Sequence, residues 1–315
     1  MDKNTLIGFL LIIAIMVGFS YWNRPSEEEL EKQRQVQDSL RMVQAQEEAL
    51  REIEMAEAEK QIEKKDSIQN SITEQTFGAF AKFTKGEDKI YMLENELLKV
   101  CVAAKGGAVS SVEVKNYTTT DGRPLILFDS NDAQQNMTLV TSNNRVIDTK
   151  ELYFSATMPN DSTLIMSLPM EQGAFKYIYT IHKDSYIVDY KIKADGMSEY
   201  LSQRENGLDM EFDMFLRQQE RGRKFENRYA GLYYKFQDDD VENLETEKDD
   251  SKQITNRVKW IGYKDQFFST VLIAKGDVNF TSVDLESSMM PEVRDLSRPY
   301  NYLKHYSSRM VVSFD

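Results

Sequence analysis

Apolar and polar positions divide this chain into three zones. Residues 5–22 hold no charged side chain, whereas residues 26–75 are rich in Glu, Gln, Lys and Ala and contain no glycine. From residue 77 onward, short segments alternate apolar and polar positions between Gly, Asn, Asp and Pro. The three patterns predict a membrane-spanning helix, a charged helical linker and an all-β domain of antiparallel strands.

The uncharged zone has the length and flanks of a single membrane span. It holds 18 residues, which at about 1.5 Å per helical residue gives about 27 Å, close to the thickness of a bilayer's hydrocarbon layer. Lys3 precedes it, and a lone Arg24 followed by Glu27, Glu28 and Glu29 comes after it. Because basic residues stay in the cytoplasm, residues 1–4 are predicted to be cytoplasmic, residues 5–22 to lie in the lipid bilayer, and residues after 25 to lie outside.

A cleaved secretory signal is the alternative for this zone. Gly18 and Ser20 are small enough for a signal peptidase. Bulky Tyr21 and Trp22 follow at once, however, and the apolar run exceeds the usual ~7–15 residues. An uncleaved anchor is therefore the favoured interpretation.

Residues 23–76 form the predicted linker. Within residues 26–75 there are 14 acidic and 7 basic residues, so this segment contributes −7 of the chain's net charge of −13. Strong helix formers dominate, and Pro25 with Ser26 resembles a helix start. The apolar residues are too sparse for a sustained heptad seam. A solvated single helix or partly disordered stalk is favoured over a coiled-coil dimer.

Residues 77–315 form the predicted β domain, which the pattern indicates to be one large sandwich. A hairpin is expected at 175–193, where two alternating segments flank the polar residues 183–185. The fifteen candidate strands are 89–94, 97–104, 108–114, 124–128, 137–141, 152–156, 163–169, 175–182, 186–193, 208–216, 228–236, 255–263, 268–274, 279–284 and 309–314.

Charge and cysteine content narrow the classes of function. The chain has 39 basic and 52 acidic residues, and this acidic balance argues against nucleic acid as a partner. Cys101 is the only cysteine, so no internal disulfide forms. It is interpreted as a small buried hydrophobic residue rather than a reactive thiol.

The sequence offers no signature of catalysis or of a metal or cofactor site. The two histidines, His182 and His305, have no nucleophile motif beside them, so each is interpreted as a surface or structural residue. Residues 238–252 hold eight acidic and two basic residues, but they lack the glycine of a calcium loop and are predicted to be a flexible, solvated loop. No catalytic, cofactor-binding or metal-binding residue is therefore predicted.

Aromatic residues concentrate in the second half of the domain, and two interpretations stay open for them. Sandwich core is favoured over a groove for a sugar or peptide. The residues are Tyr229, Tyr233, Tyr234, Phe236, Trp260, Tyr263, Phe267 and Phe268.

Four segments of the domain carry a family resemblance: residues 95–100 (NELLKV), 105–109 (KGGAV), 114–117 (VKNY) and 260–273 (WIGYKDQFFSTVLI). In this order, after an anchor and a charged linker, they resemble the amino-terminal part of the YidC/Oxa1/Alb3 membrane protein insertase family. The likeness is to the long form of Gram-negative bacteria, and the linker looks most like Bacteroidetes versions.

The resemblance implies a fold, a location and partners. The fold would be a β-supersandwich similar to galactose mutarotase, in the periplasm, tethered to the inner membrane. Partners would be the Sec translocon and nascent membrane proteins, with no cofactor. The family's arginine-bearing groove and five further helices would follow residue 315, so the chain is expected to be an amino-terminal part whose domain is truncated.

Two other functions stay open. A carbohydrate-binding or mutarotase-like enzyme on a stalk requires His182 or His305 to meet a carboxylate in an open groove. A structural envelope tether requires a coiled-coil stalk.

Overall fold

The computed structural model describes residues 3–22, 27–202, 207–238, 240–292, 297 and 300–314. The chain divides into two compact units, Met1–Ser71 and Ile72–Asp315. The predicted flanks Arg24, Pro25 and Ser26 lie outside the described residues.

Two helices account for the first unit. Helix α1 is Lys3–Trp22 and helix α2 is Glu27–Phe77, which continues a few residues into the second unit. Within the described residues, a search of the helices for one both long and apolar enough to cross a membrane finds none. On α2, the described apolar side chains Val36, Leu40, Val43 and Leu50 are all exposed.

The second unit contains eighteen described strands, all paired antiparallel, which confirms the predicted all-β class. They are β1 Ile90–Glu94, β2 Leu98–Ala103, β3 Val109–Thr118, β4 Pro124–Phe128, β5 Ala133–Val140, β6 Val146–Asp148, β7 Ser155–Asn160, β8 Thr163–Pro169, β9 Ala174–Ile181, β10 Val188–Asp195, β11 Leu208–Arg217, β12 Gly231–Phe236, β13 Val241–Asn243, β14 Asp250–Ile254, β15 Val258–Lys264, β16 Ser269–Ile273, β17 Thr281–Met289 and β18 Tyr302–Val312. A short helix α3, Arg223–Tyr229, precedes β12, and short 3₁₀ helices lie at Gly78–Phe83 and Thr149–Glu151.

The described strands form four sheets. Three sheets have four strands, in the orders β1-β2-β3-β4, β10-β9-β8-β7 and β13-β12-β15-β16. The fourth has six strands in the order β14-β17-β18-β11-β5-β6. Strands β11 and β18 are central to it and pair along ten positions, from Leu208 opposite Val312 to Arg217 opposite Tyr302. Long-range pairing of this kind explains why one core serves the whole unit.

Alternation along the strands builds that core. In β9 the side chains of Phe175, Tyr177, Tyr179 and Ile181 are all buried, while the positions between them are half-buried. The β9–β10 hairpin confirms the one predicted at 175–193, and Asp184 in its turn has a positive φ of 54°. A short acidic side chain tolerates this left-handed conformation better than most.

Several predicted strand bounds were wrong, since the strand predicted at 255–263 begins only at Val258 and the one predicted at 309–314 is the end of β18. Three further local predictions were wrong. Residues 152–154 precede β7 as a connection whose Leu152 and Phe154 are buried, so their apolar pattern reflects packing of a loop on the core. The predicted strand 228–236 begins only at Gly231, because Arg223–Tyr229 forms helix α3.

The third wrong prediction concerns the acidic segment 238–252. It contains β13 and the start of β14, because Val241–Asn243 pairs with β12 and Asp250–Ile254 pairs with β17. The two strands are edge strands of different sheets with mostly exposed side chains, so an acidic composition alone hides their pairing.

Candidate functional site

The two histidines lie near carboxylates but away from the pocket described below. His182 Nε2 lies 2.9 Å from Asp189 Oδ2, and Lys275 Nζ lies 2.8 Å from the other oxygen of that carboxylate. His305 Nε2 lies 4.0 Å from Asp213, and its ring stacks on Phe215 at 4.2 Å between centroids. Neither histidine lines the pocket. His182 thus meets a carboxylate, as the mutarotase-like hypothesis requires, but outside this pocket.

A pocket opens where the end of β11 meets the β15–β16 connection. It holds about 310 Å³ of empty space, part of it open to solvent. Its wall contains both apolar and polar residues. The lining residues are Leu127, Met214, Leu216, Arg217, Gln219, Tyr263, Asp265, Phe268, Ser269 and Thr270.

Asp265, in the pocket wall, forms a buried acid pair with Glu226. Helix α3 carries Glu226 inward to complete burial, and its Oε1 accepts the backbone N–H groups of Gln219 at 2.7 Å and Glu220 at 3.1 Å. Glu226 Oε2 and Asp265 Oδ1 are buried and accept no hydrogen bond from another described residue. One proton held between the two carboxyl groups would satisfy both oxygens at once.

The electrostatics of the pair agree with a shared proton. Burial, and then the charge of Asp265, raises the pKa of Glu226. Burial also raises the pKa of Asp265, although the N–H of Gln266 and the contact with Glu226 oppose it. Two carboxylates in one low-dielectric site cannot both ionise cheaply. The pair therefore keeps a proton well above the ordinary carboxyl range.

Arg217, on the other side of the pocket, is neutralised by its own neighbours. It is almost completely buried, its Nε donates to Asp132 Oδ2 at 2.6 Å, and its guanidinium also pairs with Asp129. Tyr302 donates its hydroxyl to the other oxygen of Asp132 at 2.5 Å. Burial alone would raise the pKa of Asp129, but the Asn131 N–H and the Arg217 guanidinium outweigh it and lower that pKa. With two carboxylates already bound, Arg217 is a structural cation.

The aromatic residues divide between core and surface. Tyr234 and Tyr263 are buried, whereas Tyr229 and Phe267 are exposed. Phe268 lines the pocket and packs edge-on against Tyr117, with 5.2 Å between ring centroids. The core interpretation fits the buried tyrosines, and only Tyr263 and Phe268 of the eight reach the pocket.

The remaining sequence candidates show no site chemistry. Cys101 is half-buried, and burial raises the pKa of its thiol, which slows its reactions as a nucleophile. Among the described residues there is no group of three or more His, Cys, Asp or Glu side chains placed to hold a metal ion.

Sequence reasoning missed the acid pair and a buried lysine. Lys304 in β18 is completely buried and donates to the carbonyl oxygens of Ala230, at 2.9 Å, and Thr246. Burial lowers its pKa to about 8. A lysine inside an apolar strand pattern was the available signal, since lysine is almost never fully buried without a structural reason.

Comparison with known proteins identifies relatives of the whole chain. The family model described as YidC periplasmic domain matches residues 91–312. The chain is 42% identical to the membrane protein insertase YidC of Parabacteroides distasonis, covering 100% of this chain and 49% of the relative. It is 38% identical to the Bacteroides fragilis protein of the same name, covering 100% and 48%. The chain thus spans about half the length of the curated relatives it matches.

Two solved structures align with the chain at low identity. A galactose mutarotase-like protein from Lactobacillus casei aligns with a TM-score of 0.37 at 9% identity, covering 72% of this chain and 88% of that one. A galactose mutarotase related enzyme from Lactobacillus acidophilus aligns with a TM-score of 0.32 at 10% identity, covering 72% and 99%.

Proposed function

The chain belongs to the YidC family, and from this premise we propose that it acts in the insertion of proteins into the bacterial inner membrane. The observation that carries the proposal is sequence identity of 42% extending over the entire chain, together with the family match over residues 91–312. In this role the β unit is a periplasmic docking domain. Its partners are nascent membrane proteins and the Sec translocon.

The role is physical rather than catalytic. An insertase lowers the barrier for moving polar peptide flanks through an apolar layer by offering polar surface within it. Among the described residues, no histidine lines the pocket. The two acids of the pair interact with each other, and Arg217 is bound by Asp132. The contribution of this chain is therefore to anchor the protein in the membrane, to set the distance of the β unit from the membrane and to dock partner proteins.

The anchor is part of the proposal. Residues 5–22 are proposed to cross the inner membrane once, with residues 1–4 in the cytoplasm and residues after 25 in the periplasm. The support is the uncharged run of 18 residues, the preceding Lys3 and the helical conformation of Lys3–Trp22. Single cysteines at Asn4 and Ser67, in a Cys101→Ser background, test it. A membrane-impermeant maleimide should label intact spheroplasts only at position 67, and labelling at position 4 would refute the orientation.

Depletion of the protein in its own host tests the insertase function. Pulse-labelled inner membrane proteins should fail to reach their protease-protected form, while secreted proteins carrying cleavable signals are less affected. Expression of the complete gene from a plasmid is the control and should restore insertion. Normal insertion after full depletion would refute the proposal.

A further inference from the structure

The edges of the four sheets differ in how they are protected from pairing with another chain. An unpaired strand edge is a template for further strands, and proteins block it with charges, prolines, irregular register or short length. Strands β6 and β13 have three residues each, β7 and β4 contain proline and shifted registers, and β10 and β14 carry charges. Strand β1 ends in Glu94, which pairs with Lys115.

Strand β16 has none of these protections. It reads Ser-Thr-Val-Leu-Ile, without charge or proline, and all five residues pair with β15 in unbroken register. It is the last strand of its sheet among the described residues. Five uncharged residues rich in β-branched side chains also have high strand propensity. The strand is thus open to pairing by sequence and by position.

Exposed apolar side chains line this edge. Val271 is 42% exposed, Ile273 is 56% exposed and Phe267, just before the strand, is 67% exposed. Val271 lies opposite Gly262 and Ile273 lies opposite Trp260 on β15. Gly262 has no side chain, and the ring of Trp260 lies over it at 3.3 Å from where a Cβ would be, yet Val271 keeps its exposure. An added strand would bury these side chains by cross-strand pairing.

Lysines mark both ends of β16. Lys264 lies opposite Ser269, and the carbonyl oxygen of Lys259 accepts the N–H of Ala274 just beyond Ile273. The Nζ atoms of both lysines donate to backbone carbonyl oxygens, those of Tyr229 and Gly276 among them, which leave the positive charges in place. Lys264 Nζ lies toward Tyr229, which precedes β12 on the other side of β15, whereas Lys259 keeps its positive charge beside Gly276 and Val278, just after β16.

We propose that β16 binds an extended segment of a partner protein by strand addition, and that this segment has alternating apolar residues with a carboxylate near the end that meets Lys259. Backbone hydrogen bonds supply the affinity, and the apolar row and Lys259 select the sequence. A second copy of this chain is disfavoured, because pairing β16 with itself supplies no carboxylate to meet Lys259 at either end. An anionic bilayer is disfavoured by the acidic surface of the chain. The inference goes beyond the proposed function, since binding is independent of insertion.

A synthetic peptide tests the proposal directly. The probe is fluorescein-labelled Glu-Val-Ser-Val-Thr-Val-Ser-Val-Glu with blocked ends, added to the whole chain in detergent micelles. Anisotropy should show saturable binding, and hydrogen exchange should slow at residues 269–273. A peptide of the same side chains with alternate backbone amides methylated cannot complete the ladder and should not bind. Equal binding of the two peptides, or no binding of the first at about 1 mM, overturns the proposal.

Two matched variants locate the site. Ile273→Glu should weaken binding at least about tenfold, about 1.4 kcal/mol, because it places a carboxylate against the acidic peptide. Ile90→Glu makes the same change at a 66% exposed isoleucine on the β1 edge and should leave affinity unchanged. Equal losses in both variants would overturn the assignment to β16. The proposal would also be overturned if the chain dimerised or bound anionic vesicles and Ile273→Glu abolished that association. The occupant of β16 would then be a second copy or a membrane.

Discussion

Replacing Glu226 by glutamine should remove one pH dependence from the stability of the β unit. Glu226 is completely buried, and its Oε1 accepts two backbone N–H groups that a glutamine oxygen can also accept. The new amide N–H can donate to Asp265 where the shared proton now lies. Glu226→Gln thus keeps the hydrogen bonds of the protonated pair and eliminates its titration.

The sign and the size of this pH dependence follow from the difference in bound protons between the folded and the unfolded chain. The pKa of Glu226 is raised above its ordinary value of 4.5, by burial and then by Asp265, with Glu220 adding to the rise. Lys264 acts in the opposite direction on Asp265. Between the ordinary and the raised pKa, the folded protein holds a proton that the unfolded chain releases, so the free energy of unfolding falls as pH rises. One proton limits the slope to about 1.4 kcal/mol per pH unit, hence about 2.7 kcal/mol over two units.

Urea unfolding at a series of pH values measures this slope. The quantity of interest is the difference in unfolding free energy between wild type and Glu226→Gln, because every other titrating group cancels in that difference. The variant should become more stable relative to wild type as pH rises from about 5.5 to about 7.5. Glu286→Gln, which changes an exposed glutamate on β17, is the matched control and should run parallel to wild type.

A second variant separates proton sharing from simple burial. Asp265→Asn should reduce the same pH dependence of the unfolding free energy. The double variant should reduce it little further, since one shared proton has already been removed. Parallel pH curves for wild type and Glu226→Gln would refute the shared proton. Fully additive effects of the two substitutions would refute the coupling between the two acids.

Two further substitutions probe the packing around the pocket and the core. Arg217→Met should destabilise the β unit by about 3–5 kcal/mol, because Asp129 and Asp132 lose their cation, and a loss below about 1 kcal/mol by urea unfolding would contradict the assigned pairing. Met137→Ala, at a side chain with 0% exposure, should cost about 2–5 kcal/mol. Met158→Ala, at 45% exposure, should stay within about 0.5 kcal/mol, and equal thermal shifts for the two would argue against the burial pattern.

The alternation of apolar and polar residues predicted those elements whose contacts join residues close together in the sequence. The β9–β10 hairpin was predictable because its two strands and polar turn are contiguous, and the pairing Val188 opposite Ile181 follows from the turn. Helix α3 was not predictable in the same way. Its seven residues form too short a segment for a clear helical period, and burial of Glu226 among distant residues decides its position.

The acid pair was beyond the reach of sequence patterns for a similar reason. Glu226 and Asp265 come from different elements, and each lies in a polar stretch that is typical of a solvated turn. Only the fold brings α3 against the β15–β16 connection. Lys304 lies within an apolar strand pattern, so its burial could have been predicted. Its partners could not, because they are backbone carbonyl oxygens, which every residue has.

Two of the segments that carry the family resemblance, residues 95–100 and 105–109, fix turns and close packing, whereas the segment 260–273 contains β16. Asn95 donates to the carbonyl oxygens of His182 and Ser185, at 2.7 and 2.8 Å, and accepts the N–H groups of the next turn, so it fixes one hairpin to another. Gly107 has a φ of 64°, and a Cβ there would lie 2.9 Å from the ring of Phe154. Because these residues specify turns and close packing, substitutions there should act through folding, whereas recognition rests on the solvent-facing edge.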